Sequence, residues 1–433
     1  MDPFLTGVIG IIALILLLFS KLPIGVGMAL VGFCGFAAVV GFEPALGLLQ
    51  TVPYTTFSEH SLSVIPLFLL MGSFAFHSGM SEDLFEAVYK WMGHFRGGVA
   101  MATIVACACF AAISGSSLAT AATLGAIALP EMKKYKYDDG LATGAVAAGG
   151  SVGILIPPSV ILIIYGIITE QSIGKLFLAG VIPGIMEAVF YIFTIAYLTY
   201  FKPHHGPRGP KTTFKEKIVS LKSAWEVVVL FIVVIGGIYK GIFTPTEAAG
   251  IGAFGTFVFA LMRRRLNWEN FKLSLSGTVQ TTGMLFLVIL GAMIFGYFLS
   301  VTRLPMEFAA IVSDLPVNRY VILALILVIT LLLGCIMDSM AIVLLTIPVF
   351  YPLIQSLNFD PIWFGILVVR VTEMGLITPP VGLNVFIIKG ISGVPIGTIF
   401  RGVIPHLIAD LLQVIFLVMF PQIVLWLPGL MSD

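Results

Sequence analysis

Long apolar runs alternate along this chain with short polar stretches, and the length of each run predicts its structure. Runs of roughly spanning length lie at 4–19, 23–41, 62–79, 175–200, 224–240, 247–262, 278–300 and 402–428. A helix needs about 20 residues to cross the roughly 30 Å hydrocarbon core of a bilayer. The pattern therefore predicts an all-α polytopic membrane protein.

Two regions hold paired apolar segments that are each too short to span comfortably. In 97–132 the two segments are separated by Ser-Gly-Ser-Ser at 114–117, and in 319–354 they are parted near 334–339. Paired short segments with small or polar residues between them are typical of a re-entrant helical hairpin. We predict one such hairpin in each region.

Two further regions, 141–168 and 361–388, are long enough to span but are interrupted midway. Each interruption contains a glycine and a Pro-Pro pair, at 157–158 in the first region and 379–380 in the second. Proline removes an amide donor and disfavours the helical conformation of the residue before it. We therefore predict two broken helices.

The same motifs occur twice, which indicates an internal duplication. GILIPP at 153–158 matches GLITPP at 375–380, and GVIP at 180–183 matches GVIP at 402–405, both at an offset of 222 residues. With the two hairpins, this predicts about ten transmembrane helices in two copies of about 200 residues each.

The distribution of charge predicts the orientation in the membrane. Basic residues concentrate at 133–136, 202–222 and 263–265, whereas 42–61 carries two glutamates and neither Lys nor Arg. Cytoplasmic loops carry the excess of basic residues. The N-terminus is thus predicted outside, and an odd number of spans in each copy makes the two copies inverted.

Composition excludes several classes of protein. Hydrophobic residues make up 59% and charged residues 10% of the chain, against roughly 25% charged in a soluble domain. A net charge of +1 leaves no electrostatic footprint for nucleic acid. The four cysteines lie in apolar runs without a His or acidic cluster, so we expect inert thiols and no transition-metal site.

Inverted repeats with broken helices are the architecture of secondary transporters, in which free helix ends bind ions near the midplane. The chain lacks the phosphate-binding motif G-x-x-x-x-G-K-[ST], so ATP is not expected as the energy source.

The predicted organisation is scaffold at 1–60, transport elements at 61–200, a cytoplasmic linker at 201–222, scaffold at 223–277 and transport elements at 278–433. Segments 42–60 and 266–277 are too short or too polar to span and are predicted to lie at the membrane interface.

Each hairpin tip is expected to face the broken helix of its own copy. Hydroxyl and carbonyl oxygens with few carboxylates suit a weakly held monovalent cation such as Na⁺, whereas Ca²⁺ requires several carboxylates. The predicted sodium ligands are Ser114, Gly115, Ser117, Gly150, Gly153 and Pro157 in the first copy, and Gly334, Asp338, Gly375 and Thr378 in the second. Small residues also permit close helix packing, which is the alternative explanation of the first tip.

Charged residues inside the membrane are functional candidates because an acid there costs about 2.5–3.5 kcal/mol. Asp338 can also cap the second helix of its hairpin. Arg370 and Glu373 are three residues apart and can form an intrahelical ion pair, or Arg370 can meet a substrate carboxylate. The predicted substrate contacts, placed between the two tips, are Ser116, Ser159, Arg370 and Asn384.

Four motifs in this order resemble the large membrane subunit of TRAP (tripartite ATP-independent periplasmic) transporters. They are AAISGSSLATAATLG at 111–125, GGSVGILIPPS at 149–159, GCIMDSMAIVLLTIPVFYP at 334–352 and VTEMGLITPPVGLNVF at 371–386. The resemblance covers nearly the whole chain. Arg370 stands where a neutral polar residue is expected, so it leaves the substrate class open.

This resemblance implies a sodium-coupled elevator of the ion transporter superfamily, with Na⁺ as coupling ion and no other cofactor. It implies three partners: a small four-helix membrane subunit, a periplasmic substrate-binding protein and an organic acid such as a dicarboxylate, sialic acid or another sugar acid. It also implies a bacterial or archaeal cytoplasmic (inner) membrane.

Three other functions compete with this interpretation. A stand-alone sodium–dicarboxylate carrier or ion antiporter of the same superfamily would need no binding protein. An intramembrane hydrolase using a serine of the first tip would need a base within hydrogen-bond reach, and no histidine lies in a predicted core near the tip, so we do not expect an enzyme. A channel does not explain the duplicated hairpins and breaks, which favour alternating access.

Overall fold

The structure, a computed structural model, describes residues 2–18, 20, 22–313 and 316–431. Within these residues the secondary structure is entirely helical. The first copy consists of α1 Pro3–Leu18, α2 Ile24–Val40, α3 Phe42–Phe57, α4 Val64–His77, α5 Met80–Met92, α6 Gly98–Ser114, α7 Ser117–Lys134, α8 Asp139–Val152, α9 Val160–Thr169 and α10 Ile173–Phe201. A 3₁₀ turn, His60–Ser63, leads directly into α4.

The second copy follows a short linker helix and repeats most of this order of elements. It consists of α11 Phe214–Leu221 in the linker, then α12 Trp225–Tyr239, α13 Pro245–Met262, α14 Trp268–Thr302, α15 Leu304–Ser313, α16 Arg319–Gly334, α17 Ser339–Ser356, α18 Pro361–Gly375, α19 Leu383–Ser392, α20 Ile396–Met419 and α21 Gln422–Leu425. Further 3₁₀ turns are Pro203–His205 and Pro428–Leu430.

The segment of the second copy predicted to lie at the membrane interface is continuous with a long helix. From Trp268 onward, segment 266–277 is the first part of the 35-residue helix α14, which runs unbroken through the 277/278 boundary. Asn267 caps this helix by accepting a hydrogen bond from the Asn270 amide (2.7 Å). No proline interrupts it, whereas a turn at Ser58 and Glu59 separates the corresponding α3 and α4.

Six helices in the described part of the chain are long and apolar enough to cross a membrane. They are the 3₁₀ turn with α4, then α10, α13, α14, α17 and α20. Helices α1 and α2 are also apolar but have 16 and 17 residues. The chain is therefore a polytopic, all-α membrane protein.

Both predicted hairpin regions form a helix, a break and a second helix. In the first, α6 ends at Gly115, whose φ of 62° suits glycine, and the Ser116 hydroxyl caps α7 by accepting from the Ala119 amide (3.3 Å). In the second, Asp338 Oδ1 caps α17 by accepting from the amides of Met340 (3.0 Å) and Ala341 (3.2 Å). The helices of each pair pack against one another.

Both predicted broken helices are also confirmed as helix–break–helix units. Residues 153–159 separate α8 from α9, and residues 376–382 separate α18 from α19. Ser159 starts α9 by accepting a hydrogen bond from the Leu162 amide (3.4 Å). Gly382 starts α19 with a φ of 63°.

The two copies are held together by close helix crossings at glycine. Where α2 crosses α14, a Cβ on Gly291 would lie 2.0 Å from the carbonyl oxygen of Gly25. Where α8 crosses α20, a Cβ on Gly402 would lie 1.8 Å from the carbonyl oxygen of Gly140. Both distances are far below van der Waals contact, so these backbones approach each other only because glycine has no side chain.

Candidate functional site

Hydroxyl oxygens concentrate at the tip of the first hairpin. Ser114 Oγ lies 2.9 Å from Thr120 Oγ1, and Thr120 Oγ1 donates to the carbonyl oxygen of Ser116 (2.8 Å). Ser114 and Ser117 are both buried. The tip therefore offers several oxygen atoms and no charged side chain of its own.

This first tip packs directly on the break between α8 and α9. A Cβ on Gly153 would lie 1.6 Å from the Cβ of Ala111, and one on Gly150 would lie 3.1 Å from the carbonyl oxygen of Ser117. On the other side of the break, Gly115 lies against Pro158 and Val160. The structure thus brings together the tip and the break that the sequence paired.

The second tip meets the second break in the same way. A Cβ on Gly375 would lie 2.5 Å from Gly334 Cα, and one on Gly334 would lie 3.1 Å from the carbonyl oxygen of Thr372. The Gly382 amide donates to the carbonyl oxygen of Cys335 (3.3 Å). The second tip and break are therefore in backbone contact.

The remaining predicted ligands of the second copy have local hydrogen-bond partners. The capping role predicted for Asp338 is confirmed, because Oδ1 binds the two amides at the start of α17. Thr378 Oγ1 donates to the carbonyl oxygen of Met374 (2.7 Å) and keeps its acceptor capacity. The ligand atoms at this tip and break are thus hydroxyl, carboxylate and carbonyl oxygens, which suit hard cations.

The predicted substrate contacts occupy different surroundings. Ser116 lines a cavity of about 390 Å³ between the first tip and helices α4 and α14, together with Ser73 and Thr278. Ser159 and Asn384 are fully buried. Asn384 Nδ2 donates to the carbonyl oxygen of Ala147 (3.2 Å), which ties α19 to α8 of the other copy.

Arg370 lies in a buried polar network that links α18 to α10 and α20. Its Nε donates to Gln413 Oε1 (2.7 Å), its Nη1 lies 3.1 Å from Glu187 Oε1, and its Nη2 donates to Asp410 Oδ1. The predicted intrahelical pair with Glu373 is therefore wrong. Two carboxylates from other helices surround the guanidinium, and their attraction in this buried site outweighs the modest effect of a neighbour one helical turn away.

Glu373 faces the two hairpin tips instead. Its Oε1 accepts a hydrogen bond from Ser339 Oγ of the second tip (2.6 Å), and the Ser117 hydroxyl of the first tip also lies in its immediate surroundings. Glu373, Glu187 and Asp410 are not among the site residues that the sequence motifs predict. The rule that an intramembrane acid is a functional candidate would have selected all three.

The described residues hold no group of three or more His, Cys, Asp or Glu side chains arranged to bind a metal ion. All four cysteines are free thiols, and Cys107 and Cys335 are buried.

Two hairpin tips set against two broken helices in a polytopic chain define the transport subunit of a membrane carrier, not an enzyme. Residues 11–423 match the family model described as "Tripartite ATP-independent periplasmic transporter, DctM component". The chain belongs to this family.

Named relatives align with almost the whole chain. The C4-dicarboxylate TRAP transporter large permease protein of Pseudomonas aeruginosa is 36% identical over 92% of this chain and 93% of its own length. The sialic acid TRAP transporter large permease protein of Vibrio cholerae is 31% identical over 96% of both chains. Both relatives are permease subunits of transporters.

A solved structure shares the fold at low sequence identity. The YdaH transporter of Alcanivorax borkumensis superposes with a TM-score of 0.59 over 97% of this chain and 98% of that chain, at 16% identity. The likeness concerns the arrangement of helices.

Proposed function

We propose that this chain is the large permease subunit of a sodium-coupled secondary transporter that imports an organic acid delivered by a periplasmic binding protein. The observation that carries the proposal is the packing of each oxygen-rich tip on the helix break of its own copy. The substrate class is a dicarboxylate, sialic acid or another sugar acid, because relatives across the whole chain are named for C4-dicarboxylates and sialic acid.

Sodium supplies the driving force in this proposal. One Na⁺ binds at each tip–break contact, with the oxygen ligands predicted above, and no further cofactor takes part. Moving one charge across about 100 mV gains about 2.3 kcal/mol. Two Na⁺ with a monoanionic sugar acid carry one net positive charge and are therefore driven inward by the membrane potential, whereas two Na⁺ with a dianionic dicarboxylate are driven by the Na⁺ gradient alone.

The movement proposed is that of an elevator built from two inverted copies, with about ten spans, two re-entrant hairpins and the N-terminus outside. Helix α4 packs on α13, and α14 packs on α2, so we place α4 and α14 with the scaffold. The boundaries between scaffold and transport elements, predicted at 60/61 and 277/278, then move to the C-terminal ends of α4 and α14. The hairpins, the broken helices, α10 and α20 form the moving unit. The short helices α5 and α15 join the two parts.

The partners follow from the tripartite character of the family. A small four-helix membrane subunit docks on the scaffold in the lipid bilayer, and a periplasmic binding protein delivers the acid. Aromatic residues of α3 such as Phe42 and Tyr54 are exposed and suit the membrane interface. The location proposed is the cytoplasmic (inner) membrane of a bacterium or archaeon.

Uptake into proteoliposomes tests this function. The chain is reconstituted with its small subunit, and labelled C4-dicarboxylate or sialic acid is supplied together with a periplasmic binding protein that binds it. Uptake should require both Na⁺ and the binding protein. Undiminished uptake with choline in place of Na⁺ contradicts sodium coupling, whereas Na⁺-dependent uptake by this chain alone favours a stand-alone carrier or antiporter.

The elevator is tested with a cross-linker across the cavity at the first tip. In a background without native cysteines, Ser73→Cys on α4 and Ala119→Cys on α7 join the scaffold to the hairpin, and both positions line this cavity. Transport should stop while the subunits still copurify. The control pair, Ser73→Cys with Thr278→Cys, lies within the scaffold and should leave transport running. Normal turnover of the cross-linked hairpin contradicts the elevator and favours local gating.

A further inference from the structure

The Glu373 carboxylate lies where the two hairpins meet, and few protein groups there stabilise its negative charge. The side chain is fully buried, and Oε1 accepts a hydrogen bond from Ser339 (2.6 Å). Oε2 is also buried and has no hydrogen-bond partner within the described part of the chain. A buried carboxylate normally accepts several hydrogen bonds or faces a cation, because desolvation is costly.

The position of Glu373 within α18 adds to the free-energy cost of burying an ionised carboxylate. It lies in the last turn of Pro361–Gly375, where the helix dipole already presents negative charge. Asp338 is the opposite case, because it lies at the N-terminus of α17 and binds two amides there. Its own helix therefore does not stabilise the negative charge of Glu373.

The protein supplies no cation to Glu373 among the residues that the structure describes. Arg370 is the nearest basic residue in sequence, but its three nitrogen atoms point to Glu187, Asp410 and Gln413. No ion pair within the described ranges involves Glu373. Either a proton or a cation from outside the chain must therefore neutralise this carboxylate.

We propose that Glu373 is a carboxylate ligand of a coupling Na⁺, which it shares with Ser117 of the first tip. This inference rests on the proposed sodium coupling and adds an anionic ligand to a set that otherwise consists of hydroxyl and carbonyl oxygens. Because Oε1 remains bound to Ser339, one carboxylate joins the ion to both hairpin tips. Sodium binding then orders the two tips together and neutralises the carboxylate before the anionic substrate arrives between them.

Sodium binding to the purified transporter tests the proposal without relying on transport. The midpoint of thermal unfolding is titrated with NaCl in choline chloride at constant ionic strength, since a ligand that binds the folded state raises it. Glu373→Gln should weaken the apparent Na⁺ affinity about tenfold or more, and Glu373→Asp should weaken it less. The matched control is Glu187→Gln, the same change at an equally buried acid outside the tips, which should lower stability without moving the Na⁺ midpoint.

The outcomes separate this inference from the function on which it rests. A wild-type protein that does not respond to Na⁺ overturns both. If the wild type responds to Na⁺ and the Na⁺ affinity of Glu373→Gln stays within about twofold of the wild-type value, only the ligand role is overturned. Glutamine then behaves like a Glu373 side chain that is already protonated and neutral. If Glu373→Gln does not fold, Glu373→Asp decides: a several-fold weaker Na⁺ affinity supports the proposal and an unchanged affinity overturns it.

Discussion

The contact between Gly334 and Gly375 gives a sharp test of the second tip–break unit. Replacing Gly375 by alanine would place a Cβ 2.5 Å from Gly334 Cα and 2.6 Å from Gly334 C. Carbon atoms in contact normally stay about 3.5–4.0 Å apart. Both neighbours are backbone atoms, so no side-chain rotation relieves the overlap, and the tip must move away by about 1 Å.

Such overpacking typically costs about 1–3 kcal/mol, and we expect this loss of stability for Gly375→Ala. The shift also separates the oxygen atoms of the proposed second sodium site. The apparent Na⁺ affinity should therefore fall as well. Thermal unfolding of the purified transporter, recorded with NaCl and with choline chloride, measures both effects.

Gly390→Ala provides the matched control in the adjoining half of the same broken helix. Gly390 lies in α19 and is exposed, and a Cβ added there would meet no heavy atom within 4 Å. Alanine in a helix is favoured over glycine by about 0.5–1 kcal/mol, so this variant should be neutral or slightly more stable. If Gly375→Ala matches Gly390→Ala in both stability and Na⁺ response, the second tip does not rest on α18.

Three further substitutions probe other parts of the molecule. Arg370→Met leaves two buried carboxylates without a counter-charge and should cost about 3–5 kcal/mol; a melting temperature equal to that of the wild type would contradict the network. Ser116→Ala should raise the KM for the organic acid, and it removes a helix cap worth about 1 kcal/mol, whereas unchanged kinetics would move the substrate away from the first tip. Arg263 bridges Asp83 on α5 and Glu226 on α12, so Arg263→Ala should speed amide hydrogen exchange in α5, and unaltered exchange would show that this bridge does not hold the helix.

The hairpins and broken helices could be predicted because their signals are local. Glycine and paired prolines interrupt a helix wherever it packs, and serine or aspartate at the next helix start supplies a cap, as Ser116 and Asp338 do. Duplicated motifs then indicate which tip belongs to which break.

The partners of charged side chains could not be predicted in this way. Spacing along a helix places Arg370 and Glu373 on neighbouring positions, but it does not say which distant helix packs against each of them. Glu187 and Asp410 reach Arg370 only through the packing of α10 and α20. For the same reason, the sequence did not predict that Glu373 lies between two hairpins that are far apart along the chain.

The glycine crossing of α8 and α20 constrains how the protein is made. Helix α8 is synthesised before α20, but the surface that Gly140 presents is covered by Thr398 and Gly402 of α20, the last long helix of the described chain. The first copy therefore stays incompletely packed in the membrane until α20 has been synthesised and inserted. A chain cut before Ile396 would leave this groove open to lipid, and quality-control proteases would find an incomplete first copy as well as a shortened second one.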